Sequence, residues 1–410
     1  MKIVSSFLLL NLFITGLTFK AAGQSAGENP VPVNKINDLA AAIGKKYAPD
    51  RRTAIFQILR DSAGNQYLET TEINAGQKFS DTLIREGVSI SVPIKTLPSA
   101  ELGEKKSALV NVSVANFRSE PRNAAELATQ ALLGTPLDIL KKEGYYYLVR
   151  TPDKYIAWLD AGALSIKTDL ELKMWKQTRK IVFIADYGHA YKKPQINSQR
   201  VSDLVMGDIL IHSGTEKGFV KVIYPDGKEA YIKQNLVTDF AHWSSKPAPA
   251  ADEVIGIAKT MIGVPYLWGG TSVKGVDCSG FTKTAFFMNG IVIPRDASQQ
   301  VLAGASVPVL KSDTLNLTEA LKNLKPGDLI FFAGGTKRKS DARVTHVAMY
   351  LGDGEFIHSS GQVRINSMKP GTANYEDFET RTVVAARRYI GHTGSEGIVP
   401  VSKHPAYVQQ

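Results

Sequence analysis

The chemistry of this chain of 410 residues centres on its one cysteine. Cys278 lies in Gly275-Val276-Asp277-Cys278-Ser279-Gly280-Phe281, where a glycine-rich loop gives way to a run with helical spacing of apolar side chains, Phe281 to Met288. A cysteine that opens a helix meets the positive end of the helix dipole and free backbone N–H groups. Both favour the thiolate and lower its pKa. The same N–H groups suit the oxyanion of a tetrahedral intermediate. An arbitrary cysteine at a helix start is more often buried and inert; the glycine and aspartate around Cys278 favour a nucleophile.

A thiol nucleophile needs a base, and there are seven histidines. His189, His212 and His242 precede a linker and sit in no recognisable motif, and His392 and His404 lie in the final stretch. His346 falls in the alternating run Arg343 to Tyr350, preceded by the strand-like Leu329-Ile330-Phe331-Phe332 and the turn Lys325 to Asp328. His358 falls in Gly354 to Ser360, after the turn Gly352-Asp353-Gly354. Histidines on adjacent strands of one hairpin can touch. One would take the cysteine proton while the other orients it, as the third member of a triad does. On ligand type alone, Cys278, His346 and His358 also suit a metal ion, so that rival stays open.

These residues need a scaffold. Length alone implies two to four domains. Lys2, the apolar run from Ile3 to about Phe19, and the small residues Ala21-Ala22-Gly23-Gln24 read as a cleaved secretion signal, too short for a membrane anchor. In an exported protein a single cysteine has no internal disulfide partner. The net charge of +10 is spread thinly and reads as a solvated surface. After the signal, residues 34–46 read as a helix, 54–59 and 66–73 as strands, 75–86 as a helix and 88–94 as a further strand. Five short strands follow between residues 109 and 166, the pattern of a small barrel. Residues 170–240 repeat the order of strand, glycine turn and strand. Ser244 to Ala251 is a linker by composition, Asp252 opens a helix, and the tail from Gly391 reads as polar and loose.

Two resemblances sharpen this outline. Asn116-Phe117-Arg118-Ser119-Glu120-Pro121, Gln130 to Gly134 and Tyr155-Ile156-Ala157-Trp158 resemble the start, centre and end of bacterial SH3-like cell-wall modules, with Ala157 where glycine is usual. Residues 252–390 resemble the NlpC-type papain-like peptidases of bacterial cell walls. The resemblance rests on Pro265 to Gly270, Asp277 to Phe281, Pro294-Arg295-Asp296, Pro326 to Leu329, His346-Val347 and Ile357-His358. It implies Cys278 as nucleophile, His346 as base and His358 as the residue that orients it. The whole order of segments resembles the γ-D-glutamyl-L-diamino acid dipeptidyl-peptidases (the dipeptidyl-peptidase VI type). These cut after γ-D-Glu in peptides with a free N-terminal L-Ala, before diaminopimelate or lysine. That resemblance implies that the first SH3-like domain closes one end of the cleft. Asp277 would then pair with the substrate amine and Tyr155 would reach the amino end, with Tyr266 near the nucleophile. Ser279, Trp268 and Ser298 complete the implied substrate contacts. The sequence departs from the family at Ala128, where an acid is frequent and Glu126 is a substitute, and at Ala297, where a serine can stand. Arg295 either binds a substrate carboxylate or packs the cleft loop.

The expected fold is α+β: an NlpC-type papain-like domain (252–390) preceded by two SH3-like barrels (106–168 and 169–243) and a short N-terminal α+β segment (24–105). The signal covers residues 1–23, the linker 244–251 and the tail 391–410. The expected partners are peptidoglycan-derived peptides, with no nucleic acid, no cofactor, no metal, and a periplasmic or secreted location. An endopeptidase acting on intact wall and a non-catalytic wall-binding protein are the alternatives.

Overall fold

The computed structural model describes residues 33–88, 90–245 and 248–409, so the expected secretion signal and part of the expected linker lie outside the described residues. The N-terminal unit pairs helices Val33–Tyr47 and Ile73–Arg85 with strands Phe56–Arg60, Gln66–Thr70 and Ile94–Thr96. Ile36, Leu68 and Phe79 fill its core. The second strand stops earlier than the alternation implies. The Thr70 hydroxyl accepts the Glu72 N–H at 2.9 Å, turning the chain into the helix. The third strand begins at Ile94, where the expected one ends.

Two seven-stranded sheets follow. The first spans Ser107–Val110 to Leu164–Lys167, the second Lys180–Phe183 to Val237–Asp239. With strands numbered within each unit, both sheets run in the order 7-1-4-5-6-2-3. The repeat is therefore structural, although the two sequences have diverged. Each unit has two strands more than the five read from the first sequence, because its terminal strands are short and lack turn signals of their own. Phe117, Ile139, Val149 and Leu159 fill the first barrel, and Phe183, Leu204, Val222 and Ile232 the second.

The last unit is a six-stranded antiparallel sheet. At its centre, Leu329–Gly334 is apolar almost throughout, as a strand covered on both faces must be. The helix Cys278–Phe287 packs on strands Val344–Gly352 and Glu355–Ser360. Buried Phe281, Ala285 and Phe286 fix it in the core. The tail is not loose. Val399–Pro400 pairs with Ile291–Val292, and Ile398, Val401 and Tyr407 are buried. His404 Nε2 lies 3.0 Å from the Pro152 carbonyl on the first barrel. Three apolar anchors spread over a mostly polar stretch produce no periodic signal, yet they suffice to dock it.

Candidate active site

Cys278 is the first residue of its helix, and Asp277 is the N-cap. The Asp277 Oδ1 accepts the Gly280 N–H at 2.7 Å, which satisfies one of the donors a helix start leaves open. Gly280 is required by packing: a Cβ there would sit 1.9 Å from the Gly270 carbonyl oxygen. The helix tip is thereby pressed onto the Leu267–Gly270 loop, which carries Trp268 along the cleft wall.

His346 and His358 do meet. His346 Nε2 lies 2.9 Å from His358 Nδ1, and His358 Nε2 lies 3.2 Å from Asn366 Oδ1. The Asn366 amide nitrogen donates to the Asn374 carbonyl at 3.2 Å, which fixes Oδ1 as the end facing His358. The proton positions then follow in sequence. His358 carries its proton on Nε2 and accepts on Nδ1. His346 donates from Nε2, so its Nδ1 bears the free lone pair that a base requires. The chain of bonds does not converge on a point, and no set of three His, Cys, Asp or Glu among the described residues has metal-binding geometry. Asn366 was not anticipated. It sits across the hairpin from Phe356, diagonal to His358, and only the strand register identifies it.

The sulfur meets the backbone N–H groups of Val347, the residue after His346, and of Ser279. Cys278 is 6% exposed and lines a cleft of about 530 Å³. Burial, then the Asp277 charge, push the thiol up to about 12, outweighing the two N–H groups and Arg295. Burial also holds His346 well below the usual histidine value, reinforced by His358 and Arg381, and brings His358 down to about 3. Both shifts favour the neutral forms of thiol and imidazole.

The expected substrate contacts divide into two groups. Asp277, Ser279 and Arg295 are engaged with one another. Arg295 is 0% exposed and donates to Asp277 Oδ1 at 3.0 Å and Oδ2 at 2.6 Å, to Ser279 Oγ at 3.1 Å, and to Thr129 Oγ1 at 2.7 Å. Asp277 Oδ2 also accepts the Gly269 N–H at 3.0 Å, and Ser279 Oγ donates to Oδ1 at 3.1 Å. Asp277 is thus shared with Arg295 while still lining the cleft, as Ser279 does, whereas Arg295 itself does not line it. A buried guanidinium needs a buried acid, and these two neutralise each other. The remaining candidates, Tyr155, Tyr266, Trp268, Glu126 and Ser298, all line the cleft. Glu126 is exposed and has no side-chain partner among the described residues. Burial raises the Tyr155 hydroxyl, and raises Tyr266 to about 12.

The first barrel is fastened across this cleft. Gln130 Oε1 accepts the Thr271 N–H at 3.0 Å, while its amide nitrogen donates to Asn116 Oδ1 at 2.9 Å. The N-terminal unit also reaches the cleft. Arg52 donates to Asp296 Oδ2 at 2.7 Å and Ser298 Oγ at 2.9 Å, and Asp50 accepts from Gln299 at 2.7 Å. Ile55 and Leu97 pack on Trp158 and Ile156 of the barrel. Nothing in the local sequence Asp50-Arg51-Arg52 marks this contact, because its partners are some 245 positions away.

A lone thiol at a helix tip, an imidazole relay on the adjoining antiparallel sheet and an open cleft across them define a papain-like cysteine peptidase. The NlpC/P60 family model matches residues 263–382, and the bacterial dipeptidyl-peptidase Sh3 domain model matches residues 117–164. A γ-D-glutamyl-L-lysine dipeptidyl-peptidase of Bacillus cereus is 32% identical over 284 residues, covering 65% of this chain and 77% of the relative. Dipeptidyl-peptidase 6 of Lysinibacillus sphaericus is 28% identical over 288 residues, covering 68% and 98%. A solved NlpC/P60 family protein from Bacillus cereus superposes with a TM-score of 0.57 at 27% identity, covering 69% of this chain and 99% of that one. The chain belongs to the NlpC/P60 family.

Proposed function

We propose that the protein hydrolyses the bond between γ-D-Glu and a diamino acid in peptidoglycan stem peptides with a free N-terminal L-Ala, releasing L-Ala-γ-D-Glu. One observation carries this reading: the first barrel supplies Ser119, Glu126, Ala128 and Tyr155 to the cleft that holds Cys278, so one end of the cleft is walled. A walled end admits the terminus of a short peptide, and the unpaired Glu126 carboxylate suits its ammonium. Asp277, although bound to Arg295, lines the same cleft and is a second candidate partner for that ammonium. The names of the dipeptidyl-peptidase relatives support the same substrate class.

Catalysis follows from the relay. His346 Nδ1 takes the Cys278 proton as the sulfur attacks the γ-carbonyl carbon, and the C–S bond forms. The Cys278 N–H, without a partner among the described residues, stabilises the oxyanion. The C–N bond breaks as the imidazolium returns its proton to the leaving amine. Water, deprotonated by His346, then hydrolyses the thioester. His358 and Asn366 hold the imidazole in the tautomer and orientation this requires. The first 23 residues read as a secretion signal, which places the enzyme in the periplasm or outside the cell. Among the described residues, no helix is long and apolar enough to cross a membrane.

Mass spectrometry of products from L-Ala-γ-D-Glu-diamino acid tripeptides tests the proposal. Free L-Ala-γ-D-Glu is expected, and Cys278→Ala abolishes its release. Equal turnover of N-acetylmuramyl-capped peptide would instead support action on intact wall.

A further inference from the structure

We propose that Arg343 and Arg381 form a cationic subsite for the carboxylates of the leaving diamino acid, and that the enzyme therefore prefers diaminopimelate to lysine at that position. The inference rests on the dipeptidyl-peptidase reading and departs from the lysine in the name of the Bacillus cereus relative.

The direction of the substrate sets the argument. On the proposed reading its amino end meets the barrel wall, which supplies Glu126 and Tyr155 to the cleft. In a cysteine peptidase the imidazole protonates the leaving amine, so the leaving residue lies on the His346 side. There a second cavity of about 360 Å³ opens, sharing Tyr266 and Thr345 with the main cleft and bounded by His346, Ser360 and Arg381. No aspartate or glutamate is among its lining residues. Arg381 donates to Ser360 Oγ at 3.3 Å. Its Nε stands 3.7 Å from Glu376, and both side chains of that pair are largely buried. That acid shares the Arg381 charge, so among the described residues the unpaired cation of the two is Arg343. Arg343, three residues before the base, lines the main cleft at this boundary. It is exposed and has no partner among the described residues.

The two leaving residues differ in what they bring here. Diaminopimelate carries two carboxylates, one at the end of its side chain, while lysine carries one carboxylate and ends in a lone ammonium. Two guanidinium groups fit two carboxylates and form charge-assisted bonds with them. Both residues end in the same ammonium, so the discrimination comes from the second carboxylate, which diaminopimelate brings to the guanidinium groups and lysine lacks.

The test compares kcat/KM of the full-length protein on L-Ala-γ-D-Glu-meso-diaminopimelate and L-Ala-γ-D-Glu-L-Lys, with products separated chromatographically. The wild type is expected to favour the diaminopimelate peptide by about tenfold or more, the scale of one hydrogen bond to a charged group. Arg343→Gln should shrink that ratio several-fold and Arg343→Lys should keep most of it, since charge rather than fork geometry is then retained. Amidating the side-chain carboxylate of diaminopimelate should reduce its turnover towards that of the lysine peptide. Cleavage of both tripeptides without preference, or a ratio unchanged in Arg343→Gln, would overturn the subsite while leaving the dipeptidyl-peptidase reading intact. Cleavage of neither would overturn that reading, and the subsite with it.

Discussion

Replacing Asp277 by alanine should damage the fold of the catalytic unit rather than weaken amine binding. The Asp277 carboxylate accepts five hydrogen bonds, two from Arg295, one from Ser279 Oγ and two from the Gly269 and Gly280 N–H groups. Arg295 has no exposed surface, so in the variant its charge stays buried with neutral Thr129 and Ser279 and, at 3.8 Å, the Asp296 carboxylate that Arg52 already holds. Breaking a buried pair by removing one member costs about 3–5 kcal/mol. For a unit of this size that is a fall of about 10 °C or more in the melting transition. Asp277→Asn keeps the shape but strands the same cation, so it should fall by a similar amount. The double variant Asp277→Asn, Arg295→Met removes the stranded charge and should recover much of the loss, a coupling that a double-mutant cycle reads directly. Thermal unfolding followed by circular dichroism supplies the stabilities, and KM on a free-amine tripeptide supplies binding. A variant that melts within a degree or two of the wild type, with KM raised only for free-amine peptides, would refute the reasoning and return Asp277 to the role of amine partner.

Three further outcomes are expected. Glu126→Ala should raise KM for free-amine tripeptides by about tenfold with little change in kcat, and steady-state kinetics against an N-acetylated control checks this. Asn366→Ala should lower kcat about tenfold or more by releasing His358 from the tautomer that keeps His346 Nδ1 free; the same steady-state assay detects it, and KM should stay near the wild-type value. The pH dependence has two parts, since His346 and His358 both lie below the ordinary value of 6.5. The acid limb of kcat/KM should therefore fall below that of a free imidazole. Stability should be fully present above about pH 6.5 and be lost as pH falls from there towards about 3, because the unfolded chain binds protons that the buried imidazoles refuse. Activity and denaturation profiles across pH 3–8 measure both parts.

The place of Cys278 at a helix start and the meeting of His346 with His358 were legible because their signals are local. A cysteine after glycine and aspartate before a helical run, and two histidines in a hairpin, can be read from a few neighbouring residues. The burial that opposes ionisation of Cys278 was not, because a helix dipole is visible in the sequence and burial is not. The engagement of Asp277 with Arg295 was hidden for a similar reason. Its partner Arg295 and the fastening Thr129 come from separate segments, and only the assembled cleft decides whether a carboxylate is free. The barrel repeat could be read as an order of strands and turns, but its terminal strands could not. Arg52 was invisible, since it acts through Asp296 and Ser298 on a different domain.

The account depends on a covalent bond between Cys278 and the substrate γ-carbonyl. Rapid quenching in acid during turnover of L-Ala-γ-D-Glu-diaminopimelate, followed by intact and peptide mass spectrometry, looks for it. The account predicts a transient adduct with the mass of L-Ala-γ-D-Glu less water, carried on the peptide containing Cys278 and missing from Cys278→Ala. Sustained turnover by Cys278→Ala, or an adduct on another residue, would contradict it.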